Sequence, residues 1–130
     1  MLSDSRLVLN SYLSWLKSGF DVSVLPGDVI ELTTSFIDRH NDHFQFYIDQ
    51  KSRDIFILFD DGYILSEMKS VGVSQNIASI IGDFIAGFGV DLDDDELRMC
   101  VTINNLGRGL SGFVQVMVGV DAVLATFSGL

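Results

Sequence analysis

The sequence predicts one α+β domain: an antiparallel sheet of three sequential strands plus a second hairpin, with helices packed mainly on one face. Three observations predict it. The chain has 130 residues, 48% of them hydrophobic, which fits one domain with one core. Its apolar residues change period, from helical spacing at Leu9–Phe20 and Ile77–Phe88 to alternation at His43–Asp49. No Pro-rich or Ser-rich linker divides residues 1–130, and the expected order is α-β-β-β-α-α-β-β-α.

The first helix is expected over Asp4–Ser18, capped by Ser3 and ended by Gly19 at positive φ, with Leu9, Tyr12, Leu13, Leu16 and Phe20 as its apolar face. Pro26-Gly27 marks a turn, because Pro presets its first central position and Gly is free at its second. Strands follow at Val29–Thr34, His43–Asp49 and Asp54–Phe59. The second strand alternates, with Phe44, Phe46 and Ile48 on one face. The third, Ile55-Phe56-Ile57-Leu58-Phe59, is apolar on both faces and so reads as central and covered. Lys51-Ser52-Arg53 is its hairpin turn, and Asp60-Asp61-Gly62 terminates it. A short helix is expected over Tyr63–Val71. The next is capped by Ser74, carries the stripe Ile77, Ile80, Ile81, Phe84, Ile85 and Phe88, and is closed by Gly89. A hairpin joins Val90–Leu92 to Leu97–Ile103 across Asp93-Asp94-Asp95. Asn105 caps a last helix over 106–127, with Leu110, Phe113, Val114, Met117 and Val120 inward. Gly109, Gly112 and Gly119 weaken that helix unless another backbone, from the sheet or a second copy, approaches closely.

Charge narrows the partners. Eighteen acidic against 8 basic residues give a net charge of −10, which disfavours nonspecific DNA or RNA binding and suits a basic partner. The start, Met1-Leu2-Ser3-Asp4-Ser5-Arg6, lacks the basic and apolar regions of a signal peptide. The apolar stretch Phe113–Phe127, broken by Gln115, Gly119 and Asp121, is too short for a membrane span and reads as a core helix. A single cysteine, Cys100, predicts no disulfide scaffold and fits a reducing cytoplasm. Inside a strand it reads as a buried small hydrophobe.

Two polar segments are candidates for chemistry. Asp38-Arg39-His40-Asn41-Asp42-His43 holds both histidines, and imidazole with carboxylate suits borderline cations. Its other reading is a loop held by Asx turns. Asp60-Asp61-Gly62 places carboxylates at the end of a central strand, where they suit a divalent ion or a strand-to-helix turn with Asp61 near the helix N-terminus. The order α-β-β-β-α-β also matches a nuclease core, but Ile55–Phe59 carries neither the carboxylate nor the Lys that such chemistry needs. The acidic run Asp91–Glu96 fails the EF-hand pattern, with Glu96 and Thr102 at its sixth and twelfth positions. Gly107-Arg108-Gly109 is not a phosphate loop, and Ser111 has no nucleophile-elbow context.

The run Glu31-Leu32-Thr33-Thr34-Ser35-Phe36-Ile37-Asp38-Arg39-His40-Asn41-Asp42, continued by Phe44–Ile48, Phe59-Asp60-Asp61-Gly62-Tyr63-Ile64-Leu65 and Gly72-Val73, resembles a known family. It is the bacterial and phage family catalogued as domain of unknown function eighteen-twenty-eight. Gly87-Phe88-Gly89-Val90 also fits. The resemblance implies no activity. It implies a bacterial cytosol, often a prophage or mobile-element setting, and signature positions at Asp38, Asn41, Asp42, Gln45, Asp60, Asp61 and Gly62. A Lys common after the family's second strand is replaced here by Asp49 and Gln50.

These readings lead to one expectation with two alternatives. The expected function is a small acidic, non-enzymatic protein of a phage or mobile element. It binds and inhibits a basic host defence or nucleic-acid-handling protein, needs no cofactor, and uses Tyr47, Tyr63, Asp93, Asp94 and Asp95 as contacts. One alternative is a Mg- or Mn-dependent phosphodiesterase. Asp42, Asp60 and Asp61 would be its ligands, Gln45 a polar assistant, and Asp38 and His40 would orient the site. The other is a homo-oligomer paired through the Gly-rich last helix.

Overall fold

A computed structural model describes residues 3–128. Its elements are α1 (Ser5–Gly19), β1 (Asp21–Val24), β2 (Ile30–Ile37), β3 (His43–Gln50), β4 (Ile55–Phe59), α2 (Tyr63–Val71), α3 (Gln75–Gly87), β5 (Asp91–Asp93), β6 (Glu96–Thr102) and α4 (Leu106–Ser128). The expected elements are present, with one strand added between the first helix and the first expected strand. Residues Asp21–Val24 pair with Ile30–Thr33 across the turn at Pro26-Gly27. Asp28 N donates to Leu25 O, and Gly27 has φ 86°, the geometry that turn requires. All pairings are antiparallel, in the order β1-β2-β3-β4-β6-β5.

Strand alternation sorts the side chains. Leu32, Phe46, Leu58 and Val101 face the helices and are buried. Through this layer runs α4, whose Phe113, Val116, Met117, Val120 and Leu124 are fully enclosed at helical spacing. Each such side chain contributes about 1.5–3 kcal/mol through burial, and Phe46 meets Phe113 with ring centroids 4.8 Å apart. The run Ile103–Phe127 is long and apolar enough to cross a bilayer. Here it includes the core helix expected over 106–127, observed as Leu106–Ser128. Gly109, Gly112 and Gly119 pack against this chain itself. A Cβ on Gly109 would lie 2.6 Å from Val101 Cγ1 on β6, and one on Gly119 the same distance from Phe84 Cζ on α3.

Several local expectations are corrected. Asp4, not Ser3, caps α1 by accepting from Leu7 N. Gly19 lies inside the helix rather than closing it at positive φ, and the C-cap is the extended Phe20. The smallness of Gly19 serves close approach, since a Cβ there would sit 2.9 Å from Ser35 Cα. The apolar face of α1 is not a core face. No residue of α1 is buried, and Leu9, Tyr12, Leu13 and Trp15 are each at least half exposed. Ile80 on α3 is likewise exposed, whereas Ile81 and Ile85 are buried. A 3-10 turn, Ile103–Asn105, precedes α4, and Asn105 Nδ2 donates back to Thr102 Oγ1 at 3.4 Å. Strand β4 is central but covered on one side only, because Ile55, Ile57 and Phe59 lie on the sheet's open face, half-buried. Cys100 pairs with Ile57 on that face and is exposed, not buried.

Candidate functional site

The β2–β3 connection is built on Asp38. This side chain is buried, and its Oδ1 accepts from His40 N at 2.8 Å and Asp42 N at 3.0 Å. Asn41 turns the chain at φ 66°, which Asn tolerates better than most residues. The Tyr63 hydroxyl donates to Asp38 Oδ2. Burial by itself raises a carboxylate's pKa. The Tyr63 hydroxyl and the two amides outweigh it, and Asp38 lies below its ordinary value. In turn, burial and Asp38 push the Tyr63 phenol far upward.

The neighbouring side chains tie this loop to two helices. Arg39 Nη1 meets Asp121 Oδ1 on α4 at 2.9 Å, and Arg39 N donates to Asp121 Oδ2. Arg39 Nη2 and His40 Nε2 both reach Glu67 on α2. Asp121 is 7% exposed, so its charge needs this partner. The sequence signal for the pair was an acidic residue within an otherwise apolar helix.

Asp60 has a similar role at the end of β4. It is 2% exposed. Its Oδ1 accepts from Gly62 N and Leu97 N, and its Oδ2 from Ile64 N. One carboxylate therefore caps α2 and joins it to β6, while burial keeps its pKa above the ordinary value against the pull of those amides. The residue expected near the helix end, Asp61, is exposed at φ 56°.

The two polar segments do meet. Thr33, Asp38, Asp42, His43, Phe44, Gln45, Tyr47, Asp60 and Tyr63 line one cavity of about 480 Å³. His40 and Asp61 are not among them. Two of its three carboxylates, on Asp38 and Asp60, already accept backbone amides. Among the described residues no group of three His, Cys, Asp or Glu side chains is placed to hold a metal ion. The expected ligand set Asp42, Asp60 and Asp61 is thus not assembled as one cluster.

Beside the cavity lies the open face of the sheet. The strand registers align Ser23, Glu31, Tyr47, Phe59, Arg98 and Asp91 in one row across all six strands. Tyr47 and Phe59 pack at 5.6 Å between centroids, next to Ile57. Burial, then the charges of Glu31 and Asp61, push the Tyr47 phenol upward. Asp93, Asp94 and Asp95 are exposed in the β5–β6 turn, with Asp94 and Asp95 at positive φ. Tyr63, expected as an exposed contact, is half-buried with its hydroxyl bound to Asp38.

No curated protein and no solved structure matches the chain. A family model described as Domain of unknown function DUF1828 matches residues 34–120, a span that contains the Asp38–Asp42 loop, the Asp60 cap and every residue lining the cavity between them except Thr33. The chain belongs to that family.

Proposed function

We propose that this chain is a non-enzymatic binding domain that holds a basic protein through the open face of its sheet. One observation carries the reading: a half-buried apolar patch, Tyr47, Phe59 and Ile57, lies among the carboxylates Glu31, Asp49, Asp61 and Asp91, while the cations of this face, Arg98 and Lys51, are engaged by Glu96 and Asp93 and by Asp49. An apolar centre within an acidic rim suits a partner whose contact surface is apolar and fringed by Lys or Arg. The net charge of −10 speeds association with such a partner and repels nucleic acid. In the setting that the family resemblance implies, the partner is a host defence or nucleic-acid-handling protein. The effect is then to occlude its basic surface.

The test uses Cys100 as a reporter, since it is exposed on this face beside Ile57. Immobilised protein is offered bacterial lysate at low and high salt, beside Ile57→Glu and Tyr47→Ala variants. The expected result is a partner that wild type retains at low salt, that high salt releases and both variants lose, and that slows alkylation of Cys100. A partner retained equally by the variants, or one that leaves Cys100 alkylation unchanged, overturns the reading.

A further inference from the structure

We infer that the cavity lined by Asp42, His43, Gln45 and Tyr47 is a socket for a guanidinium group, the side chain of an arginine on the partner. The inference rests on the binding reading above and names the group that the partner inserts. The cavity opens on the same face, because His43, Gln45 and Tyr47 alternate along β3 and Thr33 pairs with Gln45.

Three free acceptors line this cavity, on His43, Gln45 and Asp42, beside the Thr33 and Tyr47 hydroxyls, which can donate or accept. His43 Nδ1 lies 2.7 Å from the Thr34 carbonyl oxygen. A carbonyl only accepts, so Nδ1 carries the hydrogen and Nε2 of the neutral ring is a bare acceptor. Gln45 Nε2 donates to Thr33 Oγ1 at 2.8 Å, which leaves Oε1 as its acceptor. The Asp42 carboxylate joins none of the ion pairs among the described residues. The adjoining wall is the Tyr47 ring, in the negative field of Glu31 and Asp61.

A ligand for this arrangement must be cationic and must supply several N–H donors to acceptors that diverge. An anion is repelled by Asp42, Asp38 and Asp60. A single metal ion would find the latter two carboxylates already occupied by backbone amides. A guanidinium supplies five N–H donors in one plane, stacks on an aromatic ring and is more weakly hydrated than an ammonium. Arginine is therefore favoured over lysine.

The experiment is an NMR titration of the whole protein with N-acetyl-arginine amide in 150 mM salt, ~0.15 M being the range where exposed charges are largely screened. The uncharged citrulline analogue is the control. The expected result is saturable shifts at residues 42–47, with a Kd on the order of millimolar. Asp42→Asn should weaken binding about tenfold, whereas Asp94→Asn, in the distant β5–β6 turn, should leave it unchanged. Both variants are checked for wild-type circular dichroism. Shifts of equal size with citrulline, equal losses in the two variants, or no saturable shift overturn the inference. If arginine amide fails while a captured partner still depends on Ile57 and Tyr47, the socket falls and the binding reading stands. If the captured partner is also indifferent to them, both fall.

Discussion

Removing the Asp60 carboxylate separates a structural acid from a ligand. In Asp60→Ala three buried amides, of Gly62, Ile64 and Leu97, lose their acceptor. Each orphaned buried donor costs about 1–3 kcal/mol. The substitution also relieves the burial of a charge, which the raised pKa records and which offsets several kcal/mol. The net loss expected is about 3 kcal/mol. At a urea m-value of about 1.5–2 kcal/mol/M this lowers the unfolding midpoint by about 1.5–2 M. Asp60→Asn should cost roughly half as much, since its carbonyl oxygen still serves Gly62 and Leu97 while its NH2 faces the Ile64 amide. The assay is urea unfolding followed by circular dichroism, in chelator and again in Mg²⁺. A midpoint unchanged in Asp60→Ala, together with a Mg²⁺-dependent stabilisation that only wild type shows, would refute the capping argument and restore Asp60 as a metal ligand.

Other outcomes follow from the same contacts. Arg39→Met leaves the Asp121 carboxylate buried without its guanidinium and should destabilise by about 3–5 kcal/mol; a double-mutant cycle with Asp121→Asn should recover part of that loss. Gly19→Ala forces a methyl against Ser35, 2.9 Å from its Cα, and should loosen α1 without unfolding the sheet, read as altered Trp15 fluorescence with an unchanged near-ultraviolet signal from the core Phe residues. Asp38 has a folded pKa below its ordinary 3.8, so its contribution is present above that value and lost as pH falls through the folded one. Asp60 has the opposite sign, but it is common to wild type and Tyr63→Phe. The stability difference between these two proteins should therefore be constant from pH 7 to about pH 5 and shrink below about pH 4. A difference that grows on acidification would contradict the Tyr63–Asp38 bond.

Local chemistry made much of the fold legible. Tyr63–Val71, the Ser74 cap and the alternation Phe44, Phe46, Ile48 were readable because period and cap residues agree with the tertiary packing. Strand β1 was not, because Asp-Val-Ser-Val is too short for a pattern and all four residues are exposed. Nor was the exposure of α1, since periodicity reports which face is apolar and not whether anything covers it. The polar segments were legible as Asx-held turns, because Asp38 accepts from His40 and Asp42 and Asp60 from Gly62 and Ile64, all within four residues. That Asp60 also holds Leu97 depends on where the chain returns, 37 residues on. The pairing of Arg39 with Asp121 spans 82 residues, beyond any local pattern.

The attachment of α1 sets how this molecule opens. Its principal polar tie to the sheet is the Ser35 hydroxyl donating to Leu16 O at 2.6 Å, supported by Trp15 against Phe36. The enclosed side chains lie elsewhere, in the sheet, α2, α3 and α4. The amides of α1 therefore exchange through a partial opening of lower free energy than global unfolding. That opened state keeps its core but bares Phe36 and the Leu32 floor of the apolar groove of about 750 Å³ between α1 and the α3–α4 pair. Its population, rather than that of the unfolded chain, governs cleavage by proteases within the first twenty residues.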